Sequence, residues 1–216
     1  MVMRIEKIVV GQLEVNCYII IDEFTTDAIV VDPGDEFERI AEVIDEKQVT
    51  PRYILFTHAH YDHVCAAGEL KARYQASLVM HEDEKTTYEF TRKLCLSWGY
   101  DPEDFPQPDR TVRDKDKITI GKVFFKVIHS PGHTPGSLCI HGEKTLFTGD
   151  TLFKGSVGRT DLPGGDTEKL LSSLNKILLL PPETRIFCGH GDETTLALES
   201  KKNLSLPGRG QTGFLR

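Results

Sequence analysis

An α/β sandwich with mixed β-sheets is the fold class that this 216-residue sequence predicts. Three observations lead there. Runs of β-branched residues recur in both halves of the chain, helical periodicities interrupt them, and no internal repeat or low-complexity tract breaks the pattern. The length suits one domain with a sizeable core.

The elements follow in order. "IEKIVV", "NCYIIID" and "AIVVD" are broken by "GQLE" and "EFTTD", which predicts antiparallel strands at the start of the fold. After a turn at "VDPGD", residues 36–48 set Phe37, Ile40, Ala41 and Ile44 on one helical face, and "PRYILFT" follows as a short buried strand. "HVCAAGELKARYQ" has Val64, Ala67 and Leu70 at three-residue spacing and predicts a helix, with the strand "SLVM" behind it. A second helical stretch near 81–98 leads into "GYDPEDFPQPDR", a loop long enough to act as a lid. "DKITIG" and "KVFFKVI" are strands about a Gly-Lys turn, "SLCIHGEKTLFTG" is a hairpin about "GEK", "DTEKLLSSLNKILLL" is a helix and "RIFCG" is a last strand. The domain is expected to span 1–205, with residues 206–216 a loosely held tail.

Bulk properties exclude several classes. Apolar residues make up 39%, and no apolar run approaches the roughly 20 residues of a membrane helix, so no membrane association is expected. The N-terminal stretch alternates instead of forming an apolar signal core, which points to the cytoplasm. A net charge of −7 leaves no general basic field for a nucleic acid. Cys17, Cys65, Cys95, Cys139 and Cys188 lie far apart with no C-x-x-C pair, so they read as buried small hydrophobes and not as a disulfide framework or a zinc ribbon.

Four predicted strands end in metal-binding groups. "YILFT" runs into His58, His60, Asp62 and His63; "FFKVI" leads to His133; "TLFTG" stops at Asp150 and "RIFCG" at His190. In α/β sheets, functional groups collect beyond the carboxyl ends of strands, where a rigid strand presents a loop to solvent. Neutral imidazole nitrogen and carboxylate oxygen are donors that zinc and similar divalent ions prefer. His58 and His60, two apart in an extended segment, point the same way and chelate one ion, whereas Asp62 and His63 face elsewhere as a helix begins. Seven candidate ligands exceed the four of one tetrahedral zinc, so two divalent ions sharing a bridging group are expected, zinc first, iron or manganese next. His81, His129 and His141 are isolated and read as ordinary hydrogen-bonded histidines.

The motifs "THAHYDH", "SPGHTPGS", "TGD" and "CGHG", in that order over nearly the whole chain, resemble those of the metallo-β-lactamase superfamily. Within it, "GDTLFKGSVGRTDLPGG" is similar to the short, single-domain glyoxalase II-like hydrolases, also called hydroxyacylglutathione hydrolases. The resemblance implies a four-layer αβ/βα sandwich of two mixed sheets flanked by helices, with the site at one edge. It implies that His58, His60 and His133 hold one metal, that Asp62, His63 and His190 hold the second, and that Asp150 bridges them. Aspartate instead of cysteine at 150 matches the hydrolase and oxygenase branches better than the antibiotic-degrading lactamases. Only 26 residues follow His190, so the basic C-terminal helical segment that clamps glutathione in full-length glyoxalase II enzymes is expected to be missing or much reduced. "SVGRTD" stands where those enzymes carry a G-K-x-Y contact, which makes Arg159 the candidate for an anionic substrate end, unless it pairs with Asp161 or another acid.

The activity this implies is hydrolysis of a thioester such as S-lactoylglutathione by a metal-bound hydroxide, with Asp62 as the catalytic residue that orients the nucleophile and takes its proton. A thiol of reference pKa about 8.5 leaves as thiolate without a separate general acid. The expected partner is therefore a small anionic thioester. A mononuclear-iron persulfide dioxygenase is the rival; those enzymes share "GRTD" but carry a cysteine where Val157 stands. A non-enzymatic metal-binding module is the remaining class.

Overall fold

The computed structural model describes residues 3–208. In the N-terminal half, β1 (Met3–Val10), β2 (Val15–Asp22), β3 (Asp27–Val31), β4 (Thr50–Leu55), β5 (Ser77–His81) and β6 (Arg110–Val112) lie side by side in chain order. The first three run antiparallel, and from β3 onward neighbours are parallel. The connections explain the change. Short loops join β1 to β2 and β2 to β3, whereas α1 (Phe37–Glu46), α2 (Ala67–Tyr74) and α3 (Lys85–Ser97) carry the chain back between parallel strands.

The second sheet is built from β7 (Lys117–Ile120), β8 (Val123–His129), β9 (Leu138–Gly142), β10 (Thr145–Gly149), β13 (Arg185–Cys188) and β14 (Thr194–Thr195), in the order β14-β13-β10-β9-β8-β7. Glu143 and Lys144 both have positive φ, 47° and 62°, the two-residue hairpin turn whose twist matches the strands it joins. A small hairpin, β11 (Leu152–Phe153) with β12 (Ser156–Val157), follows β10, and α4 (Thr167–Ile177) makes the crossover to parallel β13. The helix α5 (Leu196–Lys202) follows β14.

Side-chain alternation along the strands divides the core into three layers of contact. Along the wholly buried β2, Tyr18 and Ile20 face the opposite sheet, where they meet Phe125, Ile140, Phe147 and Phe187. Cys17, Ile19 and Ile21 face outward and join Ile40, Ile44, Leu70 and Tyr88 from α1, α2 and α3. On the far side, Leu170, Leu174 and Ile177 of α4 and Leu196 of α5 cover Cys139, Leu146 and Ile186 of the second sheet. The result is the four-layer αβ/βα sandwich. All five cysteines are buried and free. Among the described residues no helix is long and apolar enough to cross a membrane.

Several sequence expectations are adjusted. The helix expected from residue 63 starts at Ala67; Tyr61–His63 form instead one 3-10 turn, which carries Asp62 and His63. The loop expected to be a lid is pinned: Pro102–Asp104 form a turn against Gly68 of α2, Phe105 is buried, and Tyr88 Oη donates to the Pro106 carbonyl at 2.8 Å. Leu206, at the start of the expected tail, is buried against the α4 face, and residues 209–216 of that tail lie outside the described residues.

Candidate metal centre

The candidate ligands arrive on four connections at one rim of the sandwich. After β4 the chain bends at Thr57 and His58, and buried Thr57 is held by the carboxylate of Asp32 at the end of β3: its N–H donates to Oδ1 at 2.7 Å and its hydroxyl to Oδ2 at 2.6 Å. The same Oδ2 lies 3.0 Å from His63 Nδ1. That contact makes Nδ1 the protonated nitrogen of His63 and leaves Nε2 free to act as a donor atom toward the rim. Gly34 completes this wall, because a Cβ there would stand 1.6 Å from the carbonyl oxygen of Asp62.

The other imidazoles are oriented in the same manner. His133 Nδ1 donates to the Arg159 carbonyl at 2.8 Å, and His190 Nδ1 donates to the Leu13 carbonyl at 2.9 Å, so each presents Nε2 to the centre. His190 is fixed further by the N-terminal hairpin. It forms an isolated antiparallel bridge with Val15, Asn16 N–H donates to Gly189 O at 2.7 Å, and Tyr18 Oη donates to Cys188 O at 2.7 Å.

The structure brings all seven sequence-predicted residues together as two trios joined by Asp150. Donor atoms of His58, His60 and His133 lie within 4.8 Å of one another, as do those of Asp62, His63 and His190. Asp150 Oδ2 is 3.6 Å from His133 Nε2 and 3.6 Å from His190 Nε2, and its Oδ1 is 3.5 Å from His63 Nε2. Three buried atoms at this junction, His58 Nε2, His63 Nε2 and Asp150 Oδ1, have no hydrogen-bond partner. A buried polar atom without a partner is costly, and these three, one from each trio and one from the acid between them, are what bound cations would satisfy. The donor set fits divalent metal: five imidazoles and two carboxylates, with neutral nitrogen and anionic oxygen on the same rim.

Electrostatically the trios differ. Burial holds His58 well below its ordinary value, with the neighbouring imidazoles adding to the effect, and brings His60 down to about 3; His133 is also lowered by burial, which Asp150 only partly opposes. Burial pushes His63 the same way, but the charges of Asp150 and Asp32 overcome it and raise the ring to about 10. His190 is likewise raised, burial being outweighed by Asp62 and Asp150. Burial alone would lift Asp62, yet His190 and His63 hold it at about 2.

The guanidinium of Arg159 makes a two-pronged ion pair with Asp161, at 2.7 Å for both Nε and Nη2, and both side chains are exposed. An anionic substrate end would have to compete with that carboxylate, while the backbone carbonyl of Arg159 orients His133. His81 and His129 stack at 3.9 Å between centroids and 14° between planes. With Asp83 they form a further group of nearby donor atoms, but parallel rings send their lone pairs side by side and do not converge on one point. His141 sits within β9, opposite Leu146.

Sequence reasoning missed two buried acids. Asp32 ends β3 as the other candidates end their strands, and that position was its available signal. Glu84, 0% exposed, follows β5 in "HEDE".

On the open side of the second trio, a pocket of about 510 Å³ is lined by Phe153, Lys154, Ser156, His190, Gly191 and Asp192. A larger cleft of about 1030 Å³ lies between β1 and β13; it shares Lys154 and Asp192 with the first pocket but includes none of the seven residues.

A rim of imidazoles and carboxylates at the edge of an αβ/βα sandwich defines the metallo-hydrolase class of site. The metallo-beta-lactamase superfamily model matches residues 10–190, and the chain belongs to that superfamily. It is 38% identical over 206 residues to the hydroxyacylglutathione hydrolase GloC of Haemophilus influenzae, covering 93% of this chain and 97% of that protein. Among solved structures it is similar to the BLEG-1 B3 metallo-beta-lactamase (34% identity, TM-score 0.83, covering 93% of this chain and 98% of that one). The di-iron-bound form of TTHA1623 matches at 36% identity and TM-score 0.82, covering 92% and 98%. ETHE1 from Myxococcus xanthus matches at 28% identity and TM-score 0.79, covering 93% and 83%.

Proposed function

We propose that this protein is a dinuclear metal-dependent thioester hydrolase acting on small anionic thioesters of the S-lactoylglutathione type. The observation that carries the reading is the position of Asp150, within 3.6 Å of both trios, beside buried nitrogen and oxygen atoms that lack partners. His58, His60 and His133 would hold one ion, Asp62, His63 and His190 the other, and Asp150 would be shared. Zinc suits the imidazole-rich donor set, and the di-iron form of TTHA1623 makes iron the first alternative. Bound there, two divalent ions would supply Lewis acidity and make water more acidic at neutral pH.

The chain's own residues do the rest. Asp62, held ionised beside His190 and His63, orients the attacking water and takes its proton. Asp32 and the carbonyls of Arg159 and Leu13 keep three imidazoles in the tautomer that presents Nε2. The pocket beside His190 receives the substrate, with Phe153 against its apolar part and Lys154 as a cation at the edge, at present paired with Asp192 at 2.8 Å. The thioester preference draws its support from the similarity to the Haemophilus hydroxyacylglutathione hydrolase. A second reading, a mononuclear-iron persulfide dioxygenase, draws on the similarity to ETHE1.

Metal-replete protein assayed with S-lactoylglutathione is expected to release free thiol, and Asp62→Ala to lose that activity while retaining the fold. Iron in the purified protein together with oxygen consumption on glutathione persulfide, and no thiol release from the thioester, would reverse the choice.

A further inference from the structure

Glu84 bridges the two connections that supply the first trio, although it comes from neither. It lies in the 3-10 turn Glu82–Glu84 just after β5, a turn capped by His81, whose Nδ1 accepts from Asp83 N–H at 3.2 Å. Its Oε1 accepts from the N–H of Ala59, the residue between His58 and His60, at 2.9 Å. Its Oε2 accepts from the Thr134 hydroxyl at 2.8 Å and from Gly136 N–H at 2.7 Å, beside His133. The carbonyl of Ala59 is held in turn by the Thr91 hydroxyl at 2.5 Å. Both peptide groups that link the two histidines through Ala59 are thus held, one by its N–H and the other by its carbonyl.

A buried carboxylate is an expensive way to hold a core together, since burial disfavours its charge; here burial raises the carboxyl to about 7 against the opposing effect of the Ala59, Thr134 and Gly136 bonds. Glutamine of the same size offers one acceptor atom, and its NH₂ would face a backbone N–H on the other side. A carboxylate alone accepts from both loops at once. Gly136 matches this arrangement, because a Cβ there would stand 2.6 Å from Glu84 Oε2 and 2.4 Å from its backbone nitrogen. His58 and His60 hang from the first sheet and His133 from the second, so the spacing of this trio is a spacing between sheets.

We infer that Glu84 is a positioning residue that sets the distance between His58/His60 and His133 and thereby the metal affinity of the first trio. This rests on the metal-centre reading above.

The test is zinc titration against a chromophoric chelator, with wild type binding two ions. Single-site affinities come from a His190→Ala background, where the first trio is read, and a His133→Ala background, where the second is read. Glu84→Gln is expected to weaken zinc at the first trio by about 10- to 100-fold, the range for groups that orient ligands, and to change the second by less than about threefold. Should Glu84→Gln fail to fold, Thr134→Val removes one donor, keeps the carboxylate, and is expected to show a smaller loss with the same site preference. Equal losses at both trios, or unchanged zinc affinity alongside a lower melting temperature of the metal-free protein, would overturn the inference and leave Glu84 a core residue only. A wild type that takes up no zinc would overturn the inference together with the reading beneath it, which distinguishes the two failures.

Discussion

The two trios share Asp150 but are held by different means. His58 and His133 are almost wholly buried, at 1% and 2% exposure, and their loops are tied through the carboxylate of Glu84. The side chain of His190 is 28% exposed, and its loop is tied to the N-terminal hairpin by neutral bonds from Asn16, Tyr18 and the backbone. The charges differ as well. The first trio consists of imidazoles that burial keeps neutral, so they can accept a cation without losing protons. The second contains Asp62 and faces Asp32 and Asp150, whose charge favours protons on His63 and His190 in the metal-free protein. In one half burial keeps the imidazoles neutral; the other, where His63 is fully buried and His190 open, is charge-rich and in competition with protons.

Removing the shared group should erase the contrast, and this is the largest effect expected. Asp150→Ala takes away the only one of the seven side chains that contacts His133 together with His63 and His190. It is expected to abolish thioester turnover and to lower metal content at both trios, as checked by elemental analysis of the purified variant. Retention of two tightly bound ions in Asp150→Ala would show that the trios are independent sites.

Acidity should separate the trios. With His63 raised to about 10 and His190 shifted the same way, an ion entering the second trio displaces a proton from His63 at neutral pH, whereas burial lowers His58, His60 and His133 and favours their neutral forms. Affinity at the second trio should therefore rise between pH 6 and pH 8, by about tenfold per unit for each proton displaced, while the first stays nearly flat. Chelator competition across that range should show the second-trio ion leaving first as pH falls. A first trio equally sensitive to pH would contradict the assignment of burial as its organiser.

How much of this was legible in the sequence follows from how locally each residue acts. His58, His60, Asp62 and His63 announce themselves because three imidazoles and an acid within six positions have no ordinary structural use. His133, Asp150 and His190 are recoverable because each follows an apolar strand. Asp32 obeys the same rule, but one acid before Pro33 and Gly34 looks like a turn residue. Glu84 precedes α3 and looks like the acid usual near a helix start. Nothing local marks Asn16 and Tyr18, which sit in a β-branched run and act on Cys188, 172 and 170 residues away. The short elements were equally silent: β11, β12 and β14 have two residues each, too few to show a period.

Tyr18 provides the finest test of the comparison and the smallest expected effect. Its ring packs edge-on against Phe147 at 5.2 Å and Phe187 at 5.6 Å, contacts that Tyr18→Phe keeps, while the variant deletes the 2.7 Å bond from Oη to the Cys188 carbonyl. That carbonyl still accepts from Asn16 Nδ2 at 2.9 Å, so no buried acceptor is orphaned, and the cost should stay near 1 kcal/mol in a denaturant titration. Because Cys188 lies two residues before His190, the loosening should fall on the second trio alone, as a loss of zinc affinity of no more than about tenfold. The first trio, tied through Glu84 on the other side of the rim, should not respond. If both trios weaken equally, the hairpin and the buried carboxylate belong to one rigid frame, and the division of labour between them dissolves.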